Sequence, residues 1–185
     1  MSLPFLLEIG CEEIPDWMIV PALNHLQQLF QGMLEEKKLP GRVVGVDATP
    51  RRLVLKAEDV AERQMDSEEL ITGPPKSAGP GAAAGFAKKL GTTPEALSVE
   101  VTPKGEYLSF RKKVPGRETV AILAEALPTL IPRISFPKTM YWIGKGAVRF
   151  IRPIRWILAL LGDNVVPFEL AGVKSGKVTS GHRRL

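Results

Sequence analysis

Residue types that commonly carry catalytic or metal-binding chemistry are scarce in this sequence. Only one of its 185 residues is a cysteine, which excludes an intrachain disulfide and a cysteine-based zinc site. The two histidines, His25 and His182, have no catalytic partner close by in the sequence, and no Walker-type phosphate loop is present. We therefore expect this chain to contain no catalytic residue, no cofactor-binding residue and no metal ligand.

Long hydrophobic runs are also absent. No uninterrupted apolar segment approaches the roughly 20 residues that are needed to span a bilayer. Glu8 interrupts the amino terminus before a signal-like apolar segment could form. The sequence therefore predicts no association with membranes, and together with the single cysteine it indicates a cytoplasmic location.

The net charge of +5 is distributed unevenly along the chain. Residues 1–102 contain 10 Lys/Arg and 15 Asp/Glu, whereas residues 103–185 contain 15 Lys/Arg and 5 Asp/Glu. A positive field attracts polyanions, and with no membrane feature present the favoured polyanion is nucleic acid. A solvated basic surface explains the charge alone equally well.

The hydrophobic pattern predicts both strands and helices. Residues 5–11 read as a strand, and a helix is predicted at 17–38 because its apolar residues recur at three- and four-residue spacing. Hairpins are predicted at 42–48 with 52–60, at 97–101 with 106–114, and at 150–161 with 165–173, although Pro153 could instead begin a helix. Further elements are a strand at 68–72 and helices near 86–90 and 119–130. The expected fold class is α+β, with mostly antiparallel sheets, a long amino-terminal helix and one or two further helices.

A stretch rich in glycine and proline at residues 73–85 is the only candidate boundary within the chain. Such composition is typical of a mobile loop or linker. We therefore expect one α+β region over 1–185, with a possible division into subdomains at 1–72 and 86–185.

Three acidic residues, Glu8, Glu12 and Glu13, lie close together near the amino terminus. Glu8 alternates with apolar neighbours in the predicted strand, whereas Glu12 and Glu13 directly precede the predicted helix. The helix dipole stabilises negative charge there by roughly 0.3–1 kcal/mol, which favours a structural role. A carboxylate pair for acid–base or metal chemistry is the alternative, but no nearby histidine supports it.

Basic residues near tight turns and aromatic rings are candidates for RNA binding. Cations can bind phosphates while tyrosine and tryptophan rings stack on exposed bases. If residues 149–156 form one strand, Arg149 and Arg155 share a face, whereas Arg152 lies on the other face with Phe150 and Trp156. We expect Trp156 to be a core residue. The candidate RNA-binding residues are Arg51, Arg52, Lys138, Arg149, Arg152, Arg155, His182 and Arg183.

Several tracts resemble, in their order and spacing, the β subunit of the bacterial heterotetrameric glycyl-tRNA synthetase. They include Thr-Pro-Arg-Arg-Leu at 49–53 and Phe-Ile-Arg-Pro-Ile-Arg-Trp at 150–156, together with residues 7–15, 73–74, 104–108, 137–142 and 180–183. Two residues depart from the expected pattern, because Cys11 stands in place of a threonine and Arg184 in place of a phenylalanine. The resemblance extends over nearly the whole chain.

The resemblance implies an amino-terminal part of a glycine-tRNA ligase subunit. ATP, with magnesium, would be used at the α subunit of an α2β2 assembly, so this part would bind no cofactor itself. Expected partners are the α subunit, a second β subunit and tRNA(Gly), and regions further along the family's β chain would lie outside these residues. Two roles remain open: a non-catalytic region that contacts tRNA, or a scaffold that docks the catalytic α subunit without touching RNA.

Overall fold

The computed structural model describes residues 1–102, 105–144 and 148–181. They form two compact units, Met1–Gln64 with Arg117–Leu185, and Met65–Gly116. The boundary expected near residues 73–85 lies inside the second unit. Among the helices of the described residues, none is both long and apolar enough to cross a membrane.

The regular elements follow one another along the chain with short connections. In order they are β1 (Ser2–Cys11), α1 (Asp16–Glu36), β2 (Arg42–Thr49), β3 (Arg52–Ala61), β4 (Ser67–Pro75), α2 (Gly79–Leu90), β5 (Ser98–Thr102), β6 (Gly105–Val114), α3 (Thr119–Leu130), β7 (Met140–Tyr141), β8 (Arg149–Phe150), β9 (Ile154–Leu161), β10 (Asn164–Val165), β11 (Glu169–Leu170) and β12 (Val173–Gly176). Short 3-10 turns occupy Lys76–Ala78, Pro94–Ala96 and Ile131–Arg133.

The first unit is built around a sheet with the strand order β11-β12-β9-β1-β3-β2, in which β10 also pairs with β9. Strand β1 lies between β3 and β9 and is antiparallel to both. The predicted hairpin of β2 and β3 is confirmed by their antiparallel pairing, whose register shifts once, between Val43 and Gly45. The central position of β1 follows from its composition, because a strand paired on both sides suits apolar residues.

One face of β1 faces the hydrophobic core. Its alternate residues Phe5, Leu7 and Ile9 are at most 2% exposed, as a period of two requires. Helices α1 and α3 contribute to the same core, and the ring of Phe5 stacks on that of Phe30 in α1 at 4.9 Å between centroids. The other face of β1 carries the intervening residues, among them Glu8 and Gly10.

The second unit contains the three-stranded antiparallel sheet β4-β6-β5 and helix α2. A Cβ added at Gly73 in β4 would overlap the ring of Phe86 in α2, so glycine allows the helix to approach the strand closely. The predicted hairpin of β5 and β6 is confirmed. The prediction of a mobile loop at 73–85 is wrong, because β4 continues to Pro75 and α2 begins at Gly79.

The expected fold class, with mostly antiparallel sheets and a long amino-terminal helix, needs correction. The main sheet is mixed because β12 runs parallel to β9. Among the described residues, more lie in strands than in helices, and none of the three α-helices exceeds 21 residues.

The long hairpin predicted from residues 165–173 is also wrong, since only the two residues of β10 pair with β9 in that manner. Pro167 has no backbone N–H to continue the ladder. Ala171 and Gly172, with φ of 56° and 81°, then form the tight turn between β11 and β12. The chain returns beside β9 in the parallel direction.

Candidate functional site

Three sequence tracts that are distant along the chain meet at the end of β1. The backbone N–H groups of Cys11, Glu12 and Ile14 donate hydrogen bonds to the carbonyl oxygens of Arg51 (2.9 Å), Pro153 (3.1 Å) and Pro50 (2.7 Å), respectively. The turn between β2 and β3 and the bend before β9 are therefore both attached to the link between β1 and α1. We call residues 8–14, 50–52 and 152–156 the β1 junction.

Glu8 is the central polar residue of the β1 junction. It is only 8% exposed, and its Oε1 accepts hydrogen bonds from Arg52 Nη1 (3.1 Å), Trp156 Nε1 and Thr179 Oγ1 (2.6 Å). Arg52 also donates to the carbonyl oxygen of Ser180, and its guanidinium carbon lies 5.4 Å from the centre of the Trp156 ring. Since a buried carboxylate needs donors, Glu8 links β1, β3, β9 and the segment that follows β12.

Gly10 allows the Trp156 ring to lie directly against β1. Gly10 is paired with both Arg52 and Trp156 in the neighbouring strands. A Cβ added at Gly10 would overlap ring carbons of Trp156. Trp156 was expected in the core, but it is half-buried on the opposite face of the sheet from α1.

The remaining arginines of the β1 junction have acceptors on the link between β1 and α1. Glu12 pairs with Arg155 (Nε–Oε1 2.7 Å) and with Arg51 (Nη2–Oε2 3.8 Å). Arg152 Nε donates to the carbonyl oxygen of Glu13 at 3.0 Å. Together with Arg52, four of the predicted RNA-binding cations therefore form ion pairs or hydrogen bonds within the chain.

Cys11 lies in the same junction and is fully buried. Burial, together with the neighbouring charge of Glu12, raises the pKa of its thiol to about 12, and Arg51 acts in the opposite direction. The side chain is therefore a protonated thiol at neutral pH and a poor nucleophile. Within the described ranges of the chain, no group of three or more His, Cys, Asp or Glu side chains is placed to hold a metal ion.

The other predicted cations lie on a separate feature, residues 138–144 and 148–150, which we call the β7–β8 segment. Tyr141 is paired with Arg149 across its two strands, and the guanidinium carbon of Arg149 lies 5.1 Å from the centre of the Tyr141 ring. Tyr141 is 43% exposed, and both Lys138 and Arg149 are exposed. Among the described residues, no carboxylate forms an ion pair with Lys138 or Arg149.

The structure divides the predicted RNA-binding residues into three sets. Arg51, Arg52, Arg152 and Arg155 meet at the β1 junction, Lys138 and Arg149 belong to the β7–β8 segment, and His182 and Arg183 lie outside the described residues. The separation of Arg152 from Arg155 was expected only if residues 149–156 formed one strand, and they do not, because β8 ends at Phe150 and β9 begins only at Ile154. The bend between them lets both arginines reach the link between β1 and α1.

Sequence reasoning missed the partners of Glu8. Thr179 carries no signal in its local sequence that would connect it to a residue 171 positions earlier. The strand alternation of Glu8 with Leu7 and Ile9 did place it on the opposite face from the core. To predict that Trp156 contacts Glu8, the pairing register between β1 and β9 would have had to be known.

A groove of about 570 Å³ lies between α1 and α3 in the first unit. Leu29, Met33 and Ile122 contribute apolar lining, and Arg117 and Glu125 lie at the groove. The hydrogen bonds from Arg117 hold the pKa of the Glu125 carboxyl below its usual value. None of the residues predicted from the sequence lines this groove.

Comparison with known proteins gives a consistent result. The family described as "Glycyl-tRNA synthetase beta subunit" matches residues 5–185. Among curated relatives, the glycine–tRNA ligase beta subunit of Desulforamulus reducens is 43% identical over 192 residues, which cover 100% of this chain and 28% of that protein. The corresponding subunit of Desulfatibacillum aliphaticivorans is 45% identical, over 97% of this chain and 27% of that protein.

A third relative, the glycine–tRNA ligase beta subunit of Acidobacterium capsulatum, is 44% identical over 98% of this chain and 27% of its own length. The chain thus spans little more than a quarter of the length of the curated relatives that it matches. Similarity over the whole of this chain includes both units of the fold.

Proposed function

The chain belongs to the glycyl-tRNA synthetase beta-subunit family, and from this premise we propose that it is a non-catalytic, tRNA-contacting part of a glycine–tRNA ligase. In this proposal, attachment of glycine to tRNA(Gly) with ATP and magnesium takes place on a partner α subunit, in a cytoplasmic α2β2 assembly that includes a second copy of the β chain. The part described here contributes contacts to the nucleic acid.

The observation that carries this proposal is the state of Lys138 and Arg149. Both are exposed, and among the described residues neither has a carboxylate partner. A cation that is not paired within the protein can bind a phosphate without first losing an existing ion pair. The exposed Arg152 and Arg155 lie on the same unit and add to its positive surface, although Arg155 forms an ion pair with Glu12.

A charge-removal experiment tests the proposal. We expect the double substitution Lys138→Ala and Arg149→Ala to weaken binding of tRNA and to reduce the dependence of affinity on salt by about one phosphate contact for each residue. The matched control is Lys88→Ala with Lys89→Ala, which removes the same charge from two exposed residues of α2. Affinity is measured by filter binding at several salt concentrations.

Equal losses of tRNA affinity in the two double variants would mean that affinity depends only on the total charge of the chain. The proposal for the β7–β8 segment would then fail. Absence of tRNA binding by the unmodified chain at low salt would contradict the proposed function as a whole. Circular dichroism of each variant establishes that the fold is retained.

A scaffold that docks the α subunit is the second candidate function. It is supported by Trp17 and Val20 on α1, which are each 64% exposed. Exposed aromatic residues are frequent anchors in protein interfaces. In this alternative the first turns of α1 contact the catalytic subunit, and the basic residues are surface residues that do not bind RNA.

Capture of the catalytic subunit in the absence of RNA distinguishes the two functions. The scaffold predicts that Trp17→Ala with Val20→Ala abolishes capture, whereas Val44→Ala at another exposed valine of the first unit leaves it unchanged. Unchanged capture by the Trp17 and Val20 variant would remove the support for this alternative.

A further inference from the structure

We propose that Tyr141 and Arg149 form a stacking site for an unpaired nucleotide of single-stranded RNA. This inference rests on the proposed function, and it identifies the form of RNA that the β7–β8 segment recognises. Tyr141 provides the aromatic surface for the base, and Arg149 and Lys138 provide the positive charge for the adjoining phosphates.

The geometry of the pair suits this ligand. The Arg149 guanidinium carbon is 5.1 Å from the centre of the Tyr141 ring, so the cation interacts with the ring face. Tyr141 nevertheless remains 43% exposed. Tyrosine rings bind bases by stacking irrespective of base identity, and arginine adds both charge and a planar surface.

The β7–β8 segment is anchored to the core of the first unit. Next to Arg149, Phe150 is only 1% exposed and meets the ring of Phe136 edge to face, with 5.1 Å between centroids. Phe150 is paired with Met140, the residue before Tyr141. The ring of Tyr141 is therefore presented next to an anchored residue pair, which reduces the ordering that binding would require.

The other candidate aromatic residues already have structural roles. Trp142 packs partly buried against the core. Trp156 lies against Gly10, donates its indole N–H to Glu8 and interacts with Arg52. Tyr141 thus differs from Trp142 and Trp156, because its ring contacts the exposed cation of Arg149.

The charge around Tyr141 favours a polyanion with unstacked rings. In a duplex the base faces are covered by their neighbours, whereas single strands and loops leave them open to aromatic side chains. An acidic peptide would satisfy the cations, but it would not require the face of the Tyr141 ring. Binding of single-stranded RNA should therefore depend on the Tyr141 ring, whereas binding of an acidic peptide should not.

The experiment uses the 185-residue chain and a single strand of about ten nucleotides in which one central 2-aminopurine is the only base and the other nucleotides are abasic. We expect binding to change the fluorescence of the 2-aminopurine as it stacks. Tyr141→Ala should weaken affinity on the order of tenfold, whereas Tyr141→Phe, which keeps the ring, should restore most of it. Ile143→Ala, at a residue that is 54% exposed in the same segment, is the matched control and should bind normally.

A second measurement changes the RNA and begins with the unmodified chain. The 2-aminopurine nucleotide is replaced by an abasic one, and the unmodified chain should then bind about tenfold more weakly. The same RNA change should have little effect on the Tyr141→Ala chain, because ring and base act together. A full effect of the abasic nucleotide in that variant would overturn the stacking site.

The failure of this inference can be separated from failure of the proposed function. If the Lys138 and Arg149 double variant loses binding while Tyr141→Ala and the abasic RNA do not, RNA contact stands and the stacking site is wrong. If the chain binds no RNA at low salt, both are wrong. If Tyr141→Ala impairs capture of the catalytic subunit but not RNA affinity, the surface is a protein interface and the stacking site is overturned.

Discussion

The β1 junction and the β7–β8 segment both place arginines beside aromatic rings, but their arginines have different partners. In the β1 junction, Arg52 lies near Trp156 and is paired with the buried Glu8. In the β7–β8 segment, Arg149 lies on Tyr141 and is exposed, without a carboxylate partner among the described residues. A combination of arginine and aromatic residues is therefore not a sufficient sign of RNA binding, since it also stabilises protein structure.

Burial explains the difference between the two regions. Arg52 has a side-chain exposure of 22%, and a guanidinium in such a position needs acceptors from the protein. Glu8, Thr179 and the Ser180 carbonyl supply them. Arg149 remains in contact with water and has no such requirement.

The largest expected effect is that of removing the central carboxylate of the β1 junction. Glu8→Ala leaves the donors of Arg52, Trp156 and Thr179 without their acceptor, so the free energy of unfolding should fall by about 3–5 kcal/mol. Glu13→Ala, at an exposed glutamate, is the control and should change it by less than about 0.5 kcal/mol. Urea denaturation measures both, and similar values for the two variants would remove the distinction between structural and surface charges.

A smaller loss of stability is expected when the approach of Trp156 to β1 is blocked. Gly10→Ala introduces a Cβ that overlaps the ring, and the resulting displacement should lower the free energy of unfolding by about 1–3 kcal/mol. Gly45→Ala in β2 is the matched control, because its added Cβ meets no atom within 4 Å. Thermal unfolding compares the two, and a neutral Gly10 variant would show that the ring is not held against the strand.

Exchanging arginine for lysine in each region tests the comparison directly. Arg52→Lys keeps the charge but loses the fork that serves Glu8 and Ser180, and it should destabilise the chain by about 1–2 kcal/mol. Arg149→Lys should change stability by less than about 0.5 kcal/mol because its side chain is exposed. Equal effects in urea denaturation would contradict the assignment of separate roles.

The smallest expected effect concerns Cys11 and appears only at alkaline pH. Its folded-state pKa of about 12 lies above the ordinary value of 9.0, so the folded chain retains the proton longer than the unfolded chain. The corresponding stability is fully present below about pH 9 and is lost as the pH rises through the folded value. From about pH 8 to pH 10 the loss should be about 1.4 kcal/mol.

Cys11→Ala serves as the control in that experiment, because alanine does not titrate. The difference between the two pH profiles isolates the thiol from other groups that ionise in the same range. A constant difference in stability across this range would show that the thiol is not buried in the β1 junction.

The hairpin of β2 and β3 could be predicted because its signal is local. Apolar and β-branched residues lie on both sides of a two-residue turn, and the register of the pairs beside that turn follows from it. The return of β12 beside β9 could not be predicted in this way, because it depends on the turn at Ala171 and Gly172 after the ladder has ended at Pro167. The helical start of the glycine-rich segment at Gly79 was also hidden by its composition.

The candidate site was predicted as a set of cations without their partners. The sequence identified the arginines and the turn at 50–51, but whether they bind RNA stays a prediction. Their division between the β1 junction and the β7–β8 segment follows from the bend between β8 and β9. A single strand over residues 149–156 contains no such bend, so the division could not be predicted on that assumption.

The sequence by itself determined the family resemblance, the strand character of β1 and the concentration of basic residues in the later part of the chain. These features depend on residue types and short spacings. Only the tertiary structure decided which cations are engaged, because the three partners of Glu8 lie 44, 148 and 171 residues away. Such contacts arise from the pairing of β1 with β3 and β9, and this pairing determines which charges are partnered within the protein and which remain exposed.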